Sequence, residues 1–369
     1  MLGSAYFKSF LGGIQSNRRA KGRVFKKLVV LESDDWGAIR MPSADALRSF
    51  ENSGMDLSKS LYKVDSLASA EDLDALFNTL LSVKNIHGEC PVLTANAIMA
   101  NPDFDRIKAS GFQEYFFEPF TETLKKYPQH QSNLEIWKQG IQENLFQPQL
   151  HGREHLNIVR WMKALQAGDP QVRFAFDLGS TYSGKADYAF MEAYDWNEAH
   201  EVKLHSKIIT EGMEIFERTF GFRSASFIAP CYNWDPALEP TLSKLGIEWI
   251  QGISSQLAPT GSFDKYQSIQ HGFGDRNAFG SRYNIRNVFF EPVTDPYKDW
   301  TDPAMARIQA AFLFNKPAVI STHRVNYVGF IQPKNRDNGL RQLKLLLNRI
   351  VKRWPEVKFI STDQLSHYI

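Results

Sequence analysis

The chain has 369 residues, 43% hydrophobic and 23% charged, which suits one large soluble domain or two ordinary ones. Its 43 basic and 41 acidic side chains leave a formal charge of +2, so there is no electrostatic case for nucleic acid as the main partner. Two cysteines, Cys90 and Cys231, form no disulfide framework or metal-ligand pattern, the N-terminus lacks the order of a secretory signal, and no apolar run reaches membrane-spanning length; the expectation is a cytoplasmic protein without stable membrane insertion.

In chain order, residues 1–25 read as an N-terminal basic extension, a solvated helix followed by Arg18, Arg19, Lys21, Arg23, Lys26 and Lys27; contact of this cluster with an anionic membrane surface is the alternative. Lys26 to Leu31 is the first strand. Residues 70–88 carry Leu73, Leu76, Phe77, Leu80 and Leu81 at helical spacing, and "CPVLTANAI" follows as a second strand. The stretch "SNLEIWKQGIQENLF" predicts a helix, "QPQLHG" a short strand, and "LNIVRWMKALQAG" another helix. Residues 201–221 form a long amphipathic helix leading into the strand "SASFIAP". "DPALEPTLSKLG" is a helix with Asp235 as N-cap and Pro236 at its first position, and "IEWIQG" is the next strand. A helix in 303–317, the strand "AVISTH", and a final helix, strand and helix complete the chain. Alternation of this kind predicts a parallel sheet or barrel jacketed by helices, with the active site where strands end and loops begin.

A census of those strand ends collects Asp34 and Asp35, then Asn96, then His151 and His155, then Pro230, Cys231, Tyr232 and Asn233, then His323 and Arg324. Adjacent carboxylates after a buried strand repel unless a cation or a proton separates their roles. His151 and His155, four apart, would share one face of a helix and could grip one ion. Asp35 would complete a ligand set with open positions, the layout of a catalytic rather than a structural site. Zinc suits two imidazoles and a carboxylate best, with Co2+, Ni2+ or Fe2+ as alternatives. Asp34 would then be free to take a proton from a metal-bound water, and His323 could serve as general acid. The bland alternatives are an Asp pair capping a helix, two surface histidines and a loop histidine. Trp36 and Tyr232 offer rings for a sugar, and Arg324 a cation for substrate.

With these residues in hand, the order of motifs resembles the polysaccharide deacetylase (NodB-homology) family. "SDDWG" is similar to its first motif, "QPQLHGREH" to its His-x3-His motif, "SFIAPCYNW" to its third and "PAVISTH" to its last. The resemblance implies an α/β fold, a distorted (β/α)7 barrel spanning 26–369 as a single domain with loop insertions, and metal-dependent removal of N- or O-acetyl groups from a carbohydrate. It implies Asp34 as base, Asp35, His151 and His155 as metal ligands, His323 as acid, and Trp36, Pro230, Tyr232, Asn233 and Arg324 as substrate contacts. The chain departs from the pattern at Gly152, where the family has Ser or Thr, and at Ile228, where it has Arg. Arg223 is the nearby candidate to replace that Arg; Asp295, Asp299 and Trp300 match the Asp-Trp motif that orients it only loosely. Residues around 171–200 form an insertion without counterpart, long enough to shape a substrate cleft. Two other readings stand beside this one: a glycoside hydrolase pairing Asp34 or Asp35 with Glu291 or Asp295, and a carbohydrate-binding barrel without catalysis.

Overall fold

The computed structural model describes residues 4–18, 21–58, 60–183, 190–262 and 265–369, so Arg19 of the basic cluster and residues 184–189 of the insertion lie outside the described residues. Nine strands form one parallel sheet: β1 (Leu28–Trp36), β2 (Leu93–Ile98), β3 (Phe146–Gly152), β4 (Ser226–Ile228), β5 (Trp249–Gly252), β6 (Arg282–Ile285), β7 (Val288–Phe289), β8 (Ala318–His323) and β9 (Lys358–Ile360). Pairing runs β6-β5-β4-β3-β2-β1-β8-β7, with β9 beside the leading residues of β1. The two ends of this path are consecutive pieces of chain. The Arg286 N–H donates to the Gly252 carbonyl (2.8 Å), and the next N–H, that of Asn287, donates across to the Val319 carbonyl (3.2 Å). The segment 282–289 thus acts as a single stave joining both edges, and the sheet closes as the expected seven-staved (β/α) barrel.

The strands read as apolar because helices cover the outside while the inside is packed. All nine residues of β1 are buried. Helices α1 (Ser4–Arg18), α2 (Ala70–Leu81), α3 (Asn133–Gln142), α4 (Ile158–Gln166), α5 (Glu201–Phe220), α6 (Thr301–Leu313) and α7 (Pro333–Arg353) account for most of that cover. Their stripes, such as Leu73, Leu76, Phe77 and Leu80 on α2, belong to the main core. A capping box at Ser69 and Asp72 starts α2, and the Asp235 carboxylate accepts from Ala237 N–H at the start of a 3-10 turn that precedes a short helix.

Three elements differ from expectation. β1 does not stop at Leu31 but runs on to Trp36, carrying the acidic residues inside the sheet. Stave 282–289 escapes a hydrophobicity reading because Asn284 and Arg286 alternate with Tyr283 and Ile285. The N-terminal helix is docked rather than solvated all round: Tyr6 is buried, its hydroxyl donates to Gln309 Oε1 of α6 (2.6 Å), and Asn17 Oδ1 accepts from Asn287 Nδ2 (2.9 Å). Among the described residues no helix is long and apolar enough to cross a membrane.

Helix α7 bears directly on the barrel rim. Gly339 faces the carbonyl of Asn326, in the turn Arg324–Tyr327 that follows β8, and a Cβ there would lie inside contact distance of that oxygen. We expect Gly339→Ala to lower unfolding free energy by about 1–3 kcal/mol, the usual cost of overpacking. Urea titration of wild type and variant measures this; an unchanged midpoint would mean that helix and turn are not in contact.

Candidate metal centre and its cavity

Strand alternation should send Asp34 and Asp35 to opposite faces. The pairing of β1 with β2 slips between Ser33 and Trp36, and Asp35 takes a left-handed backbone with φ 72°. A bulge of this kind re-aims a side chain at a strand end. Asp34 stays in register beside His323, while Asp35 turns into the barrel mouth.

His151 lies in β3 and His155 in the loop before α4, so the pair is not on a helix as the spacing suggests. The chain turns at Gly152 (φ 120°), where a Cβ would strike the Tyr194 hydroxyl at 2.5 Å. Tyr194, in the stretch around 171–200, thus leaves room only for Gly at this turn. His151 Nδ1–H donates to the Ile228 carbonyl (2.9 Å), which leaves its Nε2 lone pair facing inward. Asp35 Oδ1 is 3.5 Å from His151 Nε2 and 3.5 Å from His155 Nε2, and one ligand atom from each of the three residues falls within 4.8 Å of the others. Ligands about 2.0–2.1 Å from a tetrahedral zinc sit about 3.4 Å apart, so the donor set fits such an ion. Burial, Arg40 and the neighbouring imidazole hold His155 well below its ordinary range, as a neutral ligand requires. Burial acts against ionised Asp35, but His155, Arg40 and His151 together hold its carboxyl well down.

Asp34 is clasped by a residue the sequence reading missed. Arg286 Nη1 and Nη2 donate to its two oxygens at 2.6 Å each, Nε donates to Glu32 Oε2 at 2.7 Å, and all three side chains are buried. Asn96 Nδ2 adds a bond to Asp34 Oδ1 (2.8 Å). Burial would raise the Asp34 carboxyl, and Arg286 overcomes it, holding the group below the usual carboxylate range. Burial wins at Glu32, whose carboxyl is raised despite Arg286 and Thr362. The Arg that the resembled motif would place at 228 is Ile here, and the guanidinium beside Asp34 comes from the stave 282–289. Arg223, the sequence-based substitute, is exposed and pairs with Glu217 (3.2 Å). Asp295 and Asp299 are exposed, and Trp300 donates to the Asp295 carbonyl, so that trio does not orient Arg286; Glu32 does. The signal that could have found Arg286 is period-two alternation in "RYNIRN".

His323 Nε2 is 3.7 Å from Asp34 Oδ2, and its Nδ1 bonds Glu291 Oε1 at 2.6 Å. Asn326 Nδ2 donates to the other oxygen of Glu291 (2.7 Å). Burial alone would lower His323, but Glu291, then Asp34 and Asp35, raise it well above the ordinary histidine range. This pairing favours the protonated imidazole.

Asp34, Asp35, His151, His155, His323 and Tyr232 line one cavity of about 330 Å3. Arg40, Tyr62 and Met191 complete much of its wall; Arg40 Nη2 is 3.4 Å from Asp35 Oδ1, and Met191 comes from the insertion. Cys231 and Tyr232 both have left-handed backbones (φ 54° and 56°), a turn that brings the Tyr232 hydroxyl to 3.3 Å from Arg286.

Four expected substrate contacts do not reach this cavity. Trp36 is core: buried against Trp137 and Phe146, with its N–H donated to Ser33. Arg324 is wholly buried and its guanidinium is held by the Ala38 carbonyl (2.6 Å) and Asp65 (2.7 Å), so it braces the rim. Pro230 and Asn233 are buried beside the turn, outside the cavity wall.

No family model matches the chain, and no curated protein matches it. Among solved structures it is similar to a protein of Mycobacterium smegmatis assigned as a polysaccharide deacetylase, at 10% identity over 94% of this chain and 91% of that one, with a TM-score of 0.46. A Pseudomonas aeruginosa PAO1 structure with the same assignment matches at 11% identity over 94% and 91%, TM-score 0.42. A 4-alpha-glucanotransferase from Thermococcus litoralis matches at 8% identity over 93% of this chain and 40% of that one, TM-score 0.46. Likenesses this distant leave the chemistry to be read from the site.

If His323 works as an acid, activity needs its protonated form and falls as pH rises through its raised pKa. In Glu291→Gln the largest charge holding that proton is gone. The alkaline limb of the rate profile should move to lower pH, while the acid limb stays. An unmoved alkaline limb would remove His323 from the acid role.

Proposed function

We propose that this chain is a divergent polysaccharide deacetylase, a metal-dependent hydrolase that releases an acetyl group from an acylated carbohydrate. The carrying observation is the convergence of Asp35, His151 and His155 on one point, with Asp34 and His323 beside it in the same cavity. Asp35, His151 and His155 would hold a divalent cation, most simply zinc. Such an ion, when bound, lowers the pKa of a coordinated water and polarises a carbonyl oxygen.

The chain's own groups do the rest. Asp34 accepts a proton from the attacking water. Arg286 favours the ionised form of Asp34 and holds its carboxyl down, at the expense of basicity. His323, half-exposed at the mouth, donates its proton to the departing amine or alcohol, and Glu291 stabilises the cation until then. Tyr232 and the insertion's Met191 shape the space for the acyl sugar. We keep residues 26–369 as the catalytic unit, with 1–25 as its N-terminal extension and the insertion around 171–200 as part of the cleft. The free thiols of Cys90 and Cys231 suit a cytoplasmic location.

Among the described residues, the carboxylates named for a glycosidase are otherwise engaged: Asp35 faces the two histidines. The His323 ring stands between Asp34 and Glu291, bonded to one and close to the other, and Asp295 is exposed on a loop. The clasp of Arg286 on Asp34 and the His323 ring beside it favour the catalytic reading over a non-catalytic barrel.

Two substitutions separate the roles. Asp34→Asn should retain bound metal, measured by elemental analysis, while acetate release from acetylated chito-oligosaccharides falls about 10²–10⁴-fold, the usual worth of a general base. His151→Ala should lose both metal and activity. Acetate release by the His151 variant at the native rate would overturn the proposal. Chelation of the wild type should abolish turnover, and zinc should restore it.

A further inference from the structure

Charge is unevenly spread along this chain. Residues 1–31 hold seven of its 43 basic side chains and none of its 41 acidic ones, so the net charge of +2 conceals a strongly cationic N-terminal segment on a mildly acidic body. That segment runs along the base of the barrel. Val24 N–H donates to the Asn315 carbonyl (2.8 Å), just ahead of β8, and the Lys27 carbonyl accepts from Lys358 N–H (2.9 Å), at the start of β9. Asp34 and His323 lie toward the other ends of β1 and β8, about 20 Å from Leu28 at the usual rise per residue.

Apolar side chains stand exposed among these cations. Phe7 and Leu11, one turn apart on α1, are 59% and 49% exposed, with Lys8 and Arg18 exposed on the same helix. Phe25, between Arg23 and Lys26, is 91% exposed. Among the described residues Lys21, Arg23 and Lys26 have no carboxylate partner; Lys26 Nζ stands over the Tyr368 ring at 5.7 Å. Acidic groups at this end have cations of their own: Glu356 pairs with Lys27 (2.6 Å), Glu248 has Arg282 beside it, and Asp275 has Lys316.

From this layout we propose that α1 and the segment 21–27 seat the base of the barrel on an anionic lipid surface, with the cavity mouth turned toward water. The proposal stands apart from the deacetylase reading. Cations flanking an exposed ring are the pattern of an interfacial segment: the charges meet lipid headgroups while the ring enters the boundary with the acyl chains. Phe7 and Leu11 would gain by leaving water for hydrocarbon, which a phosphate backbone does not offer. Attachment is peripheral, because Tyr6 ties α1 to α6 and only its outer side is free to touch lipid.

Sedimentation of the full chain with vesicles tests this, comparing pure phosphatidylcholine with a phosphatidylcholine and phosphatidylglycerol mixture. The native protein should bind the anionic vesicles about 10²-fold more tightly at low salt, with the gap closing as salt rises. The triple variant Lys21→Gln/Arg23→Gln/Lys26→Gln should lose most of that preference. Phe7→Ser/Phe25→Ser should weaken binding to anionic vesicles about tenfold and keep the salt dependence. All five side chains are exposed, so urea midpoints should not move. Equal binding of the native protein to both kinds of vesicle would overturn the proposal, as would a phenylalanine variant that binds anionic vesicles as the native chain does. Tighter binding to a mixed-sequence RNA than to anionic vesicles would also overturn it, and assign the cations to nucleic acid. Acetate release enters none of these readouts, so this proposal and the deacetylase reading fail separately.

Discussion

The structure turns on one buried guanidinium. Arg286 grips Asp34 with both terminal nitrogens and Glu32 with its third. It sits where the chain leaves β6 and begins β7, at the residue whose backbone also bonds β5. The same residue therefore helps close the barrel and sets the charge of the candidate base. Two carboxylates in a dry interior are tolerable only with a cation between them, and removing one partner from such a group typically costs about 3–5 kcal/mol. Fold and site are thus coupled: a barrel that opened at 282–289 would lose the partner that keeps Asp34 ionised.

Below that clamp the barrel interior is polar. Asn96 and Gln251 exchange amide bonds (2.8 and 2.9 Å), and Gln251 passes a bond on to Ser226, which gives one to Gln149. A chain of paired amides and hydroxyls across several staves rigidifies the floor beneath the cavity, where an apolar floor would cost Asp34 its Asn96 donor. The two ionic systems beside it divide the labour. Arg40 neighbours the proposed metal ligands, and Glu291 holds the imidazolium of His323. Electrostatic preorganisation of this kind is how a site acts without rearranging when charge develops.

Departures from the resembled motifs are best followed in space. Position 228, where that pattern has Arg, is Ile here and serves through its carbonyl, which fixes the tautomer of His151, while a guanidinium reaches Asp34 from Arg286. At position 152 a side chain would compete with the Tyr194 hydroxyl for the same volume. What a linear motif records as missing is supplied by a different stave of the same ring.

Much was legible in the chain itself. The alternation of apolar strand and amphipathic helix determined the barrel class, because each pattern has one way to bury its apolar face. The polar residues at strand ends determined that Asp34, Asp35, His151, His155 and His323 share a rim, since a parallel barrel gathers all its strand ends on one side. Only the tertiary structure decided which ring faces the cavity and which the core, so Trp36 and Arg324 became packing while Arg40 and Met191 became wall. It also decided the bulge at Asp35, the turn at Gly152 and the arrival of Arg286 beside Asp34, 252 positions away in the chain. Those depend on where the backbone bends and which distant side chains then meet; periodicity reports the face a residue takes, not the partner waiting there.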